Sequence, residues 1–266
     1  MFVTIINDCR DANEQGRQST RASILFPGAN VTFMGVHNFN EIEAAGNLVD
    51  VLDATAGAEG IVLVNAAPRH GSGKKYPNGT PFGFFKYGKT VVASTVAGHT
   101  LSLVKKMGIM DKFEVTDLPT VIDHFVAKGK FPAEERDRVV NTQFRSYEYL
   151  PFLAKWVHEG EDVPAENVNL DEIPAPTKCV WWVDNFGNSK TTILPEEIGF
   201  EAGKVLKTTV GELTCYNRLK DVPDAQAGLI IGSSGYKQKR FLEVVVQGKS
   251  AAQFFRLKSG EELFQD

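Results

Sequence analysis

The feature that most constrains this chain is a change of hydrophobic period part-way along it. Over the first hundred or so residues, short apolar runs alternate with segments of helical period. Residues 2–7, 30–36, 60–64 and 90–95 are rich in β-branched and apolar side chains and read as strands, the first of them buried. Residues 12–26 are an expected helix that stops before Pro27-Gly28. Residues 41–53 place Ile42, Ala45, Leu48, Val49 and Leu52 at helical spacing. A short helix over 100–107 follows, and a glycine- and lysine-rich segment fills 68–88. Strands alternating with helices predict an α/β domain with a mostly parallel sheet.

Residues 120–160 also read as helical, with Phe152 and Trp156 available to a core. The texture then changes. Pro164, Pro174 and Pro176 mark a connector, and beyond it come β-rich runs at 179–183, 190–193, 204–210, 213–216, 228–231 and 241–246. Turn residues separate them at short, even intervals, the pattern of a small all-β barrel or sandwich. The expected organisation is an α/β N-terminal domain over 1–165, a linker over 166–176 and a β-barrel C-terminal domain over 177–266.

Composition narrows the class of function. With 42% apolar and 23% charged residues the chain is globular rather than disordered. A net charge of -4 supplies no positive field to gather nucleic acid or anionic membrane, so neither is an expected partner. Cys9, Cys179 and Cys215 are far apart and lack CxxC spacing, which predicts a reducing compartment and no structural zinc. The opening apolar run is too short for a signal-peptide core and no run reaches membrane-spanning length; a cytoplasmic location is expected.

The common catalytic templates are missing. No GxGxxG follows the first strand, Gly71-Ser72-Gly73-Lys74-Lys75 lacks the leading glycine and closing hydroxyl of a P-loop, and neither HExxH nor GxSxG occurs. The histidines at 37, 70, 99, 124 and 158 show no ligand pairing, so no metal site is expected. Three segments remain. In Val183-Asp184-Asn185-Phe186-Gly187-Asn188 a strand ends in a polar turn; this is either a plain hairpin or a pocket edge where Asp184 accepts from an ammonium or hydroxyl and Asn188 pairs with a base edge. Gly232-Ser233-Ser234-Gly235-Tyr236 is a glycine loop whose hydroxyls suit a small polar ligand, or simply a turn before an edge strand. Asn65 to Lys75 holds His70 at the C-terminal end of a strand, a favoured ligand position in α/β sheets.

Together these segments resemble the S-adenosylmethionine hydroxide adenosyltransferase family, which is related to the fluorinases and chlorinases. The family pattern [IV]-D-x-F-G-N-x-x-T-N-I is similar to Val183 through Asn188 followed by Thr191-Thr192-Ile193. The later pattern N-S-S-G-Y-L-E-I-A-V…G-S-A-A is similar to Gly232 through Tyr236, then Leu242-Glu243-Val244, then Gly248-Lys249-Ser250-Ala251-Ala252, with a short insertion over 237–240. The resemblance implies substrate contacts from Asp184, Phe186, Asn188, Ser233, Ser234, Tyr236 and Ala251. Near the N-terminus the family has T-D-F-G-x-x-D, and here Asn7-Asp8-Cys9-Arg10-Asp11 stands in that place. Asp8 resembles the carboxylate that holds the ribose diol, and Asp11 is grouped with it as a substrate contact.

At the catalytic positions the sequence departs from the family. The hydrolases use an Asp in D-P-G-V-G-T, an Arg just after it and a His in F-H-G-R-D. Here the Asp position is Ala67, Lys74 or Lys75 takes the Arg position, and the His position is Arg145, followed by Ser146. The candidate catalytic set is therefore His70, as a substitute base with a pKa suited to neutral pH, with Ser72, Lys74, Arg145 and Ser146.

The family reaction is an in-line substitution at the ribose C5′, with S-adenosylmethionine as substrate rather than cofactor. A water, hydroxide or halide displaces methionine, in sites shared between subunits of a homotrimer. A guanidinium at 145 would repel the sulfonium by roughly 1–4 kcal/mol at about 4 Å. Three arrangements answer this: an anion lies between the two cations, Arg145 pairs with Glu148 or another carboxylate, or the ligand is an anionic adenine nucleotide. The alternatives to the S-adenosylmethionine-cleaving enzyme are a silent adenosyl-binding protein and an enzyme acting on such a nucleotide.

Overall fold

The computed structural model describes residues 1–66, 79–96 and 98–264. They form two compact units, one of residues 1–44 and 55–174, the other of residues 45–54 and 175–266.

The first unit is built on a seven-stranded sheet. Its strands β1 (Phe2–Asn7), β2 (Asn30–Gly35), β3 (Gly60–Asn65) and β5 (Thr90–Thr95) run parallel to one another. The remainder, β4 (Phe82–Tyr87), β6 (Glu114–Val115) and β7 (Glu166–Asn167), pair antiparallel, and the order across the sheet is β2-β1-β3-β5-β4-β6-β7. The sheet is thus mixed, and the expectation of a mostly parallel one holds only for its first half. The reason lies in Phe82–Tyr87, which the glycine and lysine content around it disguised as loop. This segment makes a hairpin with β5 across Gly88-Lys89, where Gly88 takes the left-handed φ of 57°. Gly83 is required for a different reason: a Cβ there would lie 2.3 Å from the Glu114 carbonyl, so β6 could not pair.

Helix α1 (Ala12–Leu25) begins on the Asp11 carboxylate, which accepts from the Asn13 and Glu14 amides. Helix α2 spans Glu41–Thr55, and α3 spans Ser102–Met107. The stretch expected to be one helical region is interrupted. It holds α4 (Leu118–Ala127), α5 (Arg136–Val140), α6 (Arg145–Glu148) and α7 (Leu150–His158), with Gly129 at positive φ closing the first and Pro151 opening the last. Phe125 stacks on Trp156 at 3.8 Å over a core of Val3, Ile5, Leu63 and Ala93. Buried aromatic and aliphatic side chains of this kind contribute about 1.5–3 kcal/mol each. Residues 166–176, read from the sequence as a linker, provide β7, a 3-10 turn at Leu170–Glu172 and the buried Ile173.

The second unit carries a six-stranded sheet. Its strands are β8 (Val180–Val183), β9 (Ser189–Thr191), β10 (Val205–Thr208), β11 (Gly211–Tyr216), β12 (Ala227–Tyr236) and β13 (Lys239–Val246), in the order β10-β11-β12-β13-β9-β8. The pair β11–β12 is parallel, and the order ends at β10 and β8, so among the described residues the strands close no ring. Nor is the unit all-β: it includes α8 (Ala251–Phe255) and residues 45–54 of α2. In place of the expected all-β barrel or sandwich, the unit is an open mixed sheet with helical cover. Gly46 of α2 meets the fully buried Trp181 so closely that an added Cβ would fall 2.2 Å from the ring. No helix in the described residues is long and apolar enough to cross a membrane.

Candidate functional site

In the parallel half of the first sheet, β1 lies between β2 and β3. The chain therefore leaves β1 to one side, and after β2 crosses to the other. At such a reversal the loops beyond the carboxyl ends of the strands diverge and leave a crevice. Asn7, the last residue of β1, stands opposite Gly35 on β2 and Asn65 on β3. Asp8 follows it, at the mouth of that crevice.

Asp8 is set by its neighbours. Its backbone N–H donates to the Asn65 carbonyl at 3.1 Å. One carboxylate oxygen accepts from the Phe39 N–H at 3.2 Å, the other from the Asn65 side-chain amide at 3.4 Å. Behind it runs a buried amide chain: Asn65 Nδ2 donates to Asn7 Oδ1 at 3.0 Å, and Asn7 Nδ2 donates to Gln18 Oε1 at 2.5 Å. Asn7, Gln18 and Asn65 are all buried, so these bonds are made in a low dielectric where they hold geometry well.

A cavity of about 740 Å³ opens before Asp8, lined also by Arg10, Asp11, Arg17, Phe39 and Phe144. Its size falls within the roughly 300–1,000 Å³ of small-molecule sites. Phe144 stacks with Tyr147, and Arg17 lies over both rings at 5.0 and 4.7 Å, giving one wall an apolar, cationic surface. The Asp11 carboxylate borders the cavity, but one of its oxygens is engaged as the cap of α1. A narrower cleft of about 80 Å³ brings Asp8 together with Asn65, Phe82, Arg145 and Ser146. Ser146 is buried there. Arg145 donates to the Thr80 carbonyl at 2.7 Å and lies 5.5 Å from the centre of the Phe82 ring. Burial lowers its pKa from the usual guanidinium value, yet it stays charged at neutral pH. Its expected alternative partner, Glu148, is held instead by Arg138 at 2.6 Å and Arg21 at 3.8 Å.

The structure thus brings Asp8, Asp11, Arg145 and Ser146 around one crevice. His70, Ser72 and Lys74 lie outside the described residues. Sequence reasoning missed Phe39, Arg17, Phe144 and the Asn7–Gln18 pair. The signal for the last was present: Asn7 and Asn65 are amides closing two buried strands that are apolar apart from Thr4.

In the second unit, Asp184, Phe186, Asn188 and Ala251 share one end of the sheet. Asp184 Oδ1 accepts from the Phe186 and Asn188 amides at 2.9 Å each, and Oδ2 from Asn188 Nδ2 at 3.1 Å. The carboxylate thereby shapes the turn. Gly187, at φ 84°, has no room for a Cβ beside Ser250, and its carbonyl accepts from Ala252 at the start of α8. Ala251 is fully buried, whereas Phe186 is 72% exposed at the tip of the turn.

Ser233, Ser234 and Tyr236 lie elsewhere, inside β12 rather than in the expected glycine loop; the strand continues through them across a register shift. Ser234 is buried and donates to Asp50 at 2.7 Å, and the Gly235 N–H donates to the same carboxylate at 2.9 Å. Ser233 Oγ accepts from Lys190 Nζ at 3.3 Å, and Lys190 forms a buried ion pair with Glu243 at 2.6 Å. Tyr236 is largely buried. The Ser234 hydroxyl expected from the sequence to contact substrate is therefore engaged internally with Asp50, whose carboxyl pKa is raised by burial, whereas Ser233 is exposed.

No family model matches the chain, and no curated protein matches it. Its fold is similar to that of an uncharacterized conserved protein from Thermotoga maritima, at 16% identity with a TM-score of 0.66, covering 99% of this chain and 100% of the other. It is likewise similar to a conserved hypothetical protein from Thermus thermophilus, at 16% identity with a TM-score of 0.65, covering 99% of both chains. At this identity the likeness shows the fold alone.

Proposed function

We propose that the chain binds the adenosyl group of S-adenosylmethionine in the crevice at Asp8 and catalyses substitution at the ribose C5′. The observation that carries this reading is Asp8 itself: a carboxylate at the sheet's reversal point, oriented by Phe39 and Asn65, at the edge of a cavity of small-molecule size. A charged acceptor so placed matches the two hydroxyls of a ribose. Water, hydroxide or a halide forms the new bond to C5′ as the C5′–S bond breaks, and an attacking water gives up its extra proton to solvent. The electron pair passes to sulfur, which leaves as neutral methionine. Because the leaving group is already good, the protein's task is to position and partly desolvate the nucleophile. Ser146, buried in the cleft beside Asp8, is a hydrogen-bond donor suited to that task.

The resemblance further implies a homotrimer in which the 184–188 turn of another copy, with exposed Phe186, contacts the adenosine. Sedimentation velocity tests the assembly. The activity is tested by incubating the protein at stoichiometric concentration with S-adenosylmethionine, with and without halide, and separating the products by chromatography. Adenosine or a 5′-haloadenosine together with methionine supports the reading; intact substrate overturns it.

A further inference from the structure

Arg145 is a half-buried cation sharing a cleft with Asp8, and among the described residues no carboxylate lies within ion-pairing distance of it. Asp8 accepts instead from Phe39 and Asn65, and Glu148 is held by Arg138 and Arg21. What Arg145 does contact is one neutral carbonyl, that of Thr80, and the face of Phe82. A guanidinium offers a planar fork of donors that fits a two-oxygen anion, and leaving it partly desolvated without one is unfavourable. The cleft of about 80 Å³ is far smaller than the neighbouring cavity of about 740 Å³ and suits a small group such as a carboxylate or phosphate rather than a whole ligand.

We propose that Arg145 is the receptor for an oxyanion carried on the 5′ side of the bound nucleoside, and so sets the charge of the substrate. This rests on the adenosyl reading of Asp8. With a ribose diol at Asp8, the 5′ substituent is the part of the ligand that Arg145 meets in the shared cleft. In S-adenosylmethionine the oxyanion is the α-carboxylate; in a 5′-nucleotide it is the phosphate. Either one lies between the guanidinium and whatever else the 5′ carbon bears. A sulfonium at that carbon is then balanced rather than repelled.

Calorimetry with four nucleosides tests this: S-adenosylmethionine, adenosine 5′-monophosphate, and the neutral 5′-methylthioadenosine and adenosine. At least one of the two charged ligands should bind tenfold or more tightly than its neutral counterpart, and which one does so identifies the source of the oxyanion. Arg145→Gln should bring that ratio close to one, and Arg145→Lys should retain part of it. Equal affinity for charged and neutral ligands, or a ratio that survives Arg145→Gln, overturns the proposal. Should Arg145→Gln fail to fold, the wild-type ratio measured between about 50 and about 500 mM salt decides, since a charge contact weakens with screening and a ratio indifferent to salt counts against it. Adenosine bound without any preference for charge removes this inference alone. No binding of any of the four removes the adenosyl reading as well.

Discussion

Replacing Asp8 with Asn tests the centre of the proposed site with the least change of shape. In the protein the two carboxylate oxygens accept from different donors, Oδ2 from the Phe39 N–H at 3.2 Å, Oδ1 from Asn65 Nδ2 at 3.4 Å and the Cys9 thiol at 3.9 Å. An amide keeps one acceptor and turns an NH₂ toward the donors of the other oxygen, so one side of this arrangement is lost. That change costs the fold about 0.5–1.5 kcal/mol. The effect on ligand is larger. Hydrogen bonds from hydroxyls to a charged acceptor are worth about 1.5–3 kcal/mol, and the neutral amide gives up most of that. Adenosine affinity should therefore fall by about 10- to 100-fold. Calorimetry with adenosine and 2′,3′-dideoxyadenosine isolates the diol: the wild type should prefer adenosine by at least that factor, and Asp8→Asn should lose most of the preference. A wild type indifferent to the missing hydroxyls, or an Asp8→Asn protein that discriminates as strongly as the wild type, refutes the assignment of Asp8 to the ribose.

Three further outcomes follow from the second unit. Gly46→Ala places a methyl 2.2 Å from the buried Trp181 ring; overpacking outweighs the gain in helix propensity, and denaturant unfolding should show a net loss of about 1–2 kcal/mol. Lys190→Met leaves Glu243 buried without its cation and should cost about 3–5 kcal/mol, whereas the double change Lys190→Met with Glu243→Leu should recover most of it in the same assay. Burial raises the Asp50 carboxyl pKa above its ordinary 3.8, so at neutral pH its ionised form is held in the folded state at a cost that the unfolded chain does not bear. Asp50→Asn should be the more thermally stable protein at pH 7, with the gap narrowing as pH falls toward the ordinary carboxyl value; a constant gap would show that ionisation of Asp50 is not its source.

Much of the α/β framework is legible in the sequence because its strands are continuous apolar runs. Residues 60–65 are buried at every position and so carry a signal that needs no knowledge of partners. Phe82–Tyr87 was hidden because its glycine at 83 answers to a tertiary demand, the close approach of Glu114, which local pattern does not record. The same applies to Ser234: a serine flanked by glycine looks like a ligand loop, and only the distant Asp50 shows that its hydroxyl serves the interior. At the crevice, Asp8 could be singled out from the sequence, but Phe39 could not, since it contributes a backbone N–H that any residue type would supply. Arg17 and Phe144 come from segments more than a hundred residues apart, and no spacing rule joins them.

The amide chain behind Asp8 has a direction. Asn65 donates to Asn7, Asn7 to Gln18, and Gln18 in turn to the Cys9 carbonyl. Turning any one amide by half a turn would set acceptor against acceptor at the next link, and the Cys9 backbone carbonyl and N–H at the ends of the row cannot turn with it, so the row has a single orientation. Helix α1, through Gln18, is thereby geared to the residue at the crevice mouth, and the posture of Asp8 is an all-or-none property of four residues drawn from two strands, a loop and a helix.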